Sequence, residues 1–427
     1  MSIETFEVPS FTPEQLSDLH TRIENTIFPQ ELSLSQEKVG WKYGSPASAV
    51  KPLLKEWKNN YNWEKVRSQI NQWHHYKIAL EKYNQFKLHF IHEPSNDPNA
   101  IPLLLLHGWP STFYEFHKII NPLRDGANSQ AYHVVVPSLP GYGFSDAPTE
   151  VGTSFSKIAD MLNELMLKLG YSKYICFGTD WGSHLAYFLA NEHHSHCIGM
   201  HVTMGFGLPP LPTFQNIINH PFKVFKFLLG ATNLIKFDTL YGKDKLKIVG
   251  TNPVDTLNDP DAGYRAIQGT RPYSIAYGLT DSPVGLLGWI LEKYHHWTDH
   301  SSTGYTSNDL SSSPLPPTIT TDEFLTQVSI YWLTNTISSS IRFYSEFLDE
   351  YKKENILNRH PVIHIPVAIT NFKAELFRIP KEWVEVNFSD LKLYTEYQTG
   401  GHFAALEVPE LLTEDISLFG KRISNLF

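Results

Sequence analysis

Short runs of apolar residues without polar interruption recur along the chain, each bounded by residues that favour turns. Ile101-Pro102-Leu103-Leu104-Leu105-Leu106, His133-Val134-Val135-Val136, Tyr174-Ile175-Cys176-Phe177, the stretch from Val362 to Ile369, and Leu391-Lys392-Leu393-Tyr394 all read as strands. Runs that do not alternate with polar residues belong to strands covered on both faces, as in a parallel sheet sandwiched by helices. After the third run, Ser183-His184-Leu185-Ala186-Tyr187-Phe188-Leu189-Ala190 reads as a helix. The pattern predicts an α/β fold with a mostly parallel sheet.

The corner between the third strand and that helix is Gly178-Thr179-Asp180-Trp181-Gly182-Ser183. Small residues on either side of one exposed side chain, in a strand-to-helix turn, match the Gly-x-Ser-x-Gly nucleophile elbow of α/β-hydrolases. Here the exposed position holds aspartate. A carboxylate attacks carbonyls poorly but displaces a leaving group at saturated carbon, giving an alkyl ester. That chemistry points to epoxides or alkyl halides. An aspartate that merely starts a helix would explain the hexapeptide alone, but two further motifs accompany it in the expected order. The first strand ends in His107-Gly108-Trp109-Pro110, and the second runs into Pro137-Ser138-Leu139-Pro140-Gly141-Tyr142-Gly143. In this fold the oxyanion hole takes one N–H from the loop after the first of these strands and one from the residue after the nucleophile, here the amides of Trp109 and Trp181.

The fold orders its machinery nucleophile, acid, histidine. Twenty histidines are present, so position must choose among them. His402, in the glycine turn Gly400-Gly401-His402 after the last strand, stands where the base belongs. Glu375 follows the preceding strand, and the stretch from His193 to Phe237 that could otherwise carry the acid has no Asp or Glu. Glu375 is therefore the expected acid.

Taken together, the chain resembles the epoxide hydrolase family, in its microsomal-type branch with soluble fungal members. The resemblance runs from Pro9-Ser10-Phe11 and Trp57…Tyr61-Asn62-Trp63 through the His107 and Asp180 motifs. It continues at Gly263-Tyr264, Gln268-Gly269-Thr270-Arg271-Pro272, Asp281-Ser282-Pro283 and Ile341-Arg342-Phe343-Tyr344, and ends at Gly400-Gly401-His402-Phe403-Ala404-Ala405. One departure is Phe372-Lys373-Ala374-Glu375, which lacks the proline of the family's Phe-Pro-Lys-Glu. The resemblance implies that Tyr264 and Tyr344, on a lid, hydrogen-bond and protonate the epoxide oxygen. Neutral phenols can do this at neutral pH. It also implies a small-molecule epoxide substrate, a vicinal diol product and no cofactor. Tyr273, Tyr277 and Tyr331 are the competing hydroxyls nearby in sequence. A haloalkane dehalogenase would share the aspartate elbow but would need halide-binding N–H donors, and a non-catalytic binding protein on this fold would not need a base.

The organisation expected is an N-terminal meander over residues 1–90, a core over 91–204, a helical lid over 205–350, and the rest of the core over 351–427. Gly205 to Pro212 marks the first lid boundary, and Ser311-Ser312-Ser313-Pro314 reads as a loop within the lid. A net charge of −9 with no basic stripe argues against nucleic acid. Lys243-Asp244-Lys245-Leu246-Lys247 reads as a solvated face. His193-His194-Ser195-His196 has no carboxylate or thiol partner in the sequence pattern, so no metal is expected. Cys176 and Cys197 do not form a disulfide framework, and the first thirty residues carry Glu4, Glu7, Glu14 and Asp18 without an apolar segment. These features suggest a soluble, cytoplasmic enzyme with no membrane span. The sequence is compatible with a homodimer without requiring one.

Overall fold

The computed structural model describes residues 3–32, 39–127, 130–205, 207–242, 245–248, 262–301, 314–353 and 361–427. Nine strands form one sheet: β1 (Ile3–Phe6), β2 (His75–Leu80), β3 (Phe86–Glu93), β4 (Ile101–Leu106), β5 (Tyr132–Pro137), β6 (Tyr174–Gly178), β7 (Cys197–Val202), β8 (Val367–Asn371) and β9 (Leu391–Glu396). Their order is β1-β2-β3-β5-β4-β6-β7-β8-β9. β1, β2, β3 and β5 pair antiparallel, and all pairings from β5 onward are parallel.

The apolar runs become strands because both of their faces are covered. Leu103, Leu105, Val134, Val136, Ile175 and Phe177 pack into one buried cluster, while Leu104, Leu106, Val135, Cys176, Met200 and Val202 pack into another. The period of two along each strand assigns alternate side chains to opposite faces. The run from Val362 to Ile369 behaves differently from expectation. Regular pairing starts at Val367, because Pro366 has no N–H to donate and contributes only its carbonyl, to Met200 N. Ile363 makes an isolated bridge to Phe388. Cys176 and Cys197 lie on neighbouring strands as free buried thiols.

Residue 90, the expected end of the N-terminal segment, falls inside β3, so this segment joins the core sheet directly. It supplies β1, β2 and three helices: α1 (Pro13–Glu24), α2 (Ala47–Asn59) and α3 (Trp63–Ile70). Thr12 caps α1 in a capping box with Gln15, and Asn62 caps α3. Phe11 and Pro9 fasten to Trp63, the former ring to ring at 5.6 Å and the latter accepting from the indole N–H at 3.0 Å.

Helix α4 (Phe155–Lys168) precedes β6, and α5 (Trp181–Glu192) follows it. Among the described residues between β7 and β8 the regular elements are helices, apart from Lys247–Ile248, which pairs with Phe377–Arg378. The helices that bear on the site are α6 (Gly263–Thr270), α7 (Tyr273–Asp281), α8 (Pro283–His296), α9 (Thr321–Thr334) and α10 (Ile337–Lys353). Thr320 and Glu323 close α9 in a second capping box. The boundary expected at 350 therefore lies within α10. Ser311 to Ser313, Lys243 and Asp244 lie outside the described residues. Among the described residues, no helix is long and apolar enough to cross a membrane.

The N-terminal segment binds the inserted helices directly. The Trp57 indole N–H donates to Ser329 Oγ at 2.9 Å, and Tyr61 shares a 3.0 Å hydrogen bond with Thr326. Trp57 and Ser329 are both buried. Ser329→Ala should therefore leave an indole N–H unsatisfied and lower stability by about 1–3 kcal/mol. Urea unfolding checks this, and an unchanged midpoint would mean that the bond does not tie α2 to α9.

Candidate active site

Asp180 occupies the corner between β6 and α5, with φ 45° and ψ −122°. A side chain is strained there, and such conformations persist when the surroundings over-determine them. Those surroundings are three glycines. A Cβ on Gly178 would lie 2.2 Å from the Gly182 carbonyl oxygen, one on Gly182 would lie 2.0 Å from the Leu106 carbonyl oxygen, and one on Gly108 would lie 2.2 Å from Asp180 Oδ1. The absence of those atoms lets β4, β6 and α5 close around the aspartate. Asp180 makes no capping hydrogen bond to its own helix, so its carboxylate faces the site and does not serve the helix start.

Both sequence-expected partners converge on it. The Trp109 amide donates to Asp180 Oδ1 at 2.8 Å. His402 Nε2 lies 3.5 Å from Asp180 Oδ2, and His402 Nδ1 donates to Glu375 Oε1 at 2.8 Å. The Trp181 amide stands at the first helical position, where N–H groups have no intrahelical acceptor. The missing proline before Glu375 is offset by local bonding. Ala374 N donates to Gly400 O at 3.0 Å, and the Leu376 amide donates to Glu375 Oε1 at 2.6 Å. His402 is held by its own amide, which donates to the Trp297 carbonyl at 2.8 Å.

His402 and Glu375 are buried. Burial disfavours the imidazolium, but the Glu375 charge and the hydrogen bonds to Asp180 and Glu375 outweigh it and hold His402 well above the ordinary histidine value. A carboxylate thus stands on each side of one protonated ring.

Tyr264 and Tyr344 close the site from the inserted helices. The Tyr264 ring stacks on Trp109 at 5.4 Å, Tyr344 meets Trp109 edge-on at 5.8 Å and Trp181 at 4.6 Å, and the two tyrosine rings lie 5.7 Å apart. The Tyr344 hydroxyl is buried without a hydrogen-bond partner in the protein. Burial, then Tyr264 and the Asp180 charge, push it well above the usual phenol value, so it is a neutral donor. The competing tyrosines are disposed otherwise. Tyr273 and Tyr277 are 53% and 80% exposed, and the Tyr331 hydroxyl donates to the Ser111 carbonyl at 2.9 Å.

Glu115 and Trp297 carried no signal in the sequence, whereas His107 belongs to the His107-Gly108-Trp109-Pro110 motif. Glu115 is buried behind the elbow and accepts from Thr179 Oγ1 at 3.4 Å, and burial pushes its carboxyl up to about 7. His107, whose Nε2 accepts from Leu139 N at 3.1 Å, ties the loop after β4 to that after β5. Trp297 packs edge-on against His402 at 5.1 Å. A cavity of about 910 Å³ ends on Tyr264 and is lined by Phe28, Trp41, Ile267, Trp289 and Lys293 among others. A second, of about 790 Å³ between α1 and α7, is lined by none of the expected site residues.

The histidine run after α5 does acquire carboxylates in space, contrary to the reading of the sequence. Asp160 Oδ1, from α4, comes within 2.9 Å of His193 Nε2, with Glu192 beside them. His194 and His196 bond the carbonyls of Asn191 and Ser172.

Comparison with known proteins identifies the family. The profile described as "Epoxide hydrolase N terminus" matches residues 3–116, and that described as "alpha/beta hydrolase fold" matches residues 101–318. Epoxide hydrolase 1 of Sus scrofa is 34% identical, over 98% of this chain and 88% of its own. The chain belongs to the epoxide hydrolase family. The crystal structure of juvenile hormone epoxide hydrolase from Bombyx mori superposes with a TM-score of 0.82 at 29% identity, covering 100% of this chain and 95% of that one. The Aspergillus niger epoxide hydrolase structure gives 0.74 at 26% identity, covering 99% and 97%. For an epoxide hydrolase the oxygen of the three-membered ring must be met by donors and its carbon by a nucleophile. Tyr264 and Tyr344 both pack on the ring of Trp109, the residue whose amide holds Asp180 Oδ1.

The close fit of Gly108 makes it a sensitive probe of nucleophile placement. Gly108→Ala should displace Asp180 Oδ1 and lower single-turnover reaction with an epoxide about 10²-fold while the protein stays folded. Circular dichroism and rapid-quench kinetics together test this, and parent-like turnover would show that the carboxylate has room to spare.

Proposed function

We propose that the chain hydrolyses epoxides in two steps through an ester on Asp180. The observation that carries this reading is an aspartate at the strained elbow, bonded at Oδ1 by the Trp109 amide and faced at Oδ2 by the His402–Glu375 pair. Oδ2 attacks the accessible epoxide carbon, the ring C–O bond breaks, and Tyr264 and Tyr344 hydrogen-bond and protonate the departing oxygen. Oδ1 becomes the ester carbonyl. Ester formation removes the Asp180 charge, one of the two that hold a proton on His402, so the imidazolium gives that proton up to solvent, to regain it when Asp180 is ionised again, and the neutral imidazole takes a proton from water. That water adds to the carbonyl carbon of Asp180, and the amides of Trp109 and Trp181 stabilise the oxyanion on Oδ1. The intermediate collapses by breaking the bond to Oδ2, and His402 protonates the alkoxide as the diol leaves. Asp180 keeps the water oxygen, and its proton restores the tyrosine through solvent.

The helices between β7 and β8 act as the lid in this reading, because they carry both phenols. Halide displacement would have no need of two hydroxyls converging above the nucleophile.

Removing the base should separate the two steps. His402→Gln should still be alkylated once, since a carboxylate is ionised at neutral pH, and should then stall. Intact-protein mass spectrometry after mixing with styrene oxide should show one substrate mass per chain, mapping to the peptide containing Asp180. A folded variant with no adduct, or one with parent turnover, would overturn the mechanism. Replacing one tyrosine by phenylalanine should slow alkylation but leave activity. Tyr264→Phe combined with Tyr344→Phe should lose most of the ~10²–10⁴-fold that a general acid contributes, measured as the burst rate with the same substrate.

A further inference from the structure

Lys293 lies on α8 and is 2% exposed, an unusual position for a lysine. Its ammonium donates to Glu292 at 2.5 Å and is turned inward among aromatic rings. It stands 4.5 Å from the centroid of the Tyr264 ring, 5.4 Å from that of Trp289 and 5.7 Å from that of Trp297. The guanidinium carbon of Arg265 lies 5.8 Å from the same Tyr264 ring. Cations at such distances are attracted by the ring face. The attraction grows when the phenol ionises, because the ring and its oxygen then carry a full negative charge. A nearby positive charge favours the ionised form of an acid.

We propose that Lys293 is a positioning residue for epoxide opening, acting through Tyr264 by stabilising the phenolate left when the tyrosine protonates the epoxide oxygen. The inference rests on the reading of Tyr264 as a proton donor. Several charged or titratable groups surround Tyr264. Lys293 approaches from α8 with Glu292 behind it, Arg265 lies on its own helix, and Tyr344 comes from α10. Beyond Trp109 and Trp297 stands the Asp180–His402 pair. Lys293 is nearer the ring than Arg265. The arrangement divides the labour between the two phenols. Tyr344, buried beside Asp180 with no cation at its ring among the described contacts, is suited to hydrogen bonding, whereas Tyr264 is suited to giving up its proton.

The test uses the full chain with styrene oxide and stopped-flow tryptophan fluorescence, since Trp109 and Trp181 flank Asp180 and separate ester formation from its hydrolysis. Lys293→Met and Lys293→Gln should slow alkylation roughly tenfold, within the range of a desolvated cation–π contact, and leave ester hydrolysis unchanged. The alkaline limb of alkylation, where Tyr264 loses its proton, should move up by about one pH unit, because removing the cation makes the phenol harder to ionise. Lys293→Arg keeps the charge and should keep the parent limb. In a Tyr264→Phe background, Lys293→Gln should cost nothing more. An equal loss in both backgrounds, or an alkaline limb that does not move, would reduce Lys293 to a packing residue and overturn the inference. A costless Tyr264→Phe would instead overturn the reading of Tyr264 itself. Should Lys293→Met fail to fold, the comparison of Lys293→Gln with Lys293→Arg still decides.

Discussion

The strained corner at Asp180 is the constraint on which the rest of the site depends. A side chain at φ 45° and ψ −122° costs of order 1–3 kcal/mol. That cost is met by the packing of β4 against β6 and α5. The contact is so close that Gly182 has no room for a methyl group beside the Leu106 carbonyl. The same closeness places the Trp109 amide on Oδ1. Strand pairing, glycine choice and the placement of the Trp109 amide are therefore one arrangement, and relaxing any part would release the others.

Charge is distributed around that corner so that each chemical step changes what the next group does. At rest His402 stands between two carboxylates and holds its proton. In the proposed mechanism esterification neutralises one of them, while the ring keeps its bond to Glu375 and the His402 amide its bond to the Trp297 carbonyl. Glu115 fits this logic as a further acidic group at the back of the elbow. Burial raises its carboxyl to about 7, so that it is only partly ionised near neutrality and adds less than a full third anion beside Asp180.

The parallel half of the sheet was legible because its strands are uninterrupted apolar runs. Ile101–Leu106 has the expected bounds, three other strands differ by one or two residues, β8 starts late because Pro366 removes a donor, and β7, whose apolar residues are interrupted by Gly199 and His201, was not read. β1 and β2 were not legible. Ile3–Phe6 is an edge strand with an exposed pattern, and in His75-Tyr76-Lys77-Ile78 the alternation of polar and apolar residues is too short to stand out. Among twenty histidines His402 could be chosen because a glycine turn after the last strand is a local signal. Glu115, Arg265, Lys293 and Trp297 have no such signal. Each matters through what lies beside it in space, on another element far away in sequence. The tyrosines were located by resemblance alone, and no property of Tyr264 or Tyr344 in isolation distinguishes it from the other nineteen.

The N-terminal segment acquires a purpose from the position of those tyrosines. Proton donors on an inserted lid are useful only if the lid is registered to the nucleophile within a fraction of an ångström. Two sets of contacts supply that registration. From below, the loop after β4 grips α9, with Thr112 Oγ1 donating to Gln327 at 2.6 Å and the Tyr331 hydroxyl to Ser111 O at 2.9 Å. From outside, α2 and the turn before α3 grip the same helix through Trp57 and Tyr61. The cavity that ends on Tyr264 is walled partly by Phe28 and Trp41 of this segment and partly by α6 and α8. A segment that looks peripheral in the sequence therefore walls the cavity that ends on Tyr264 and ties down α9. Because β1 and β2 are hydrogen-bonded into the core sheet, the clamp on the lid is anchored to the same sheet that strains Asp180.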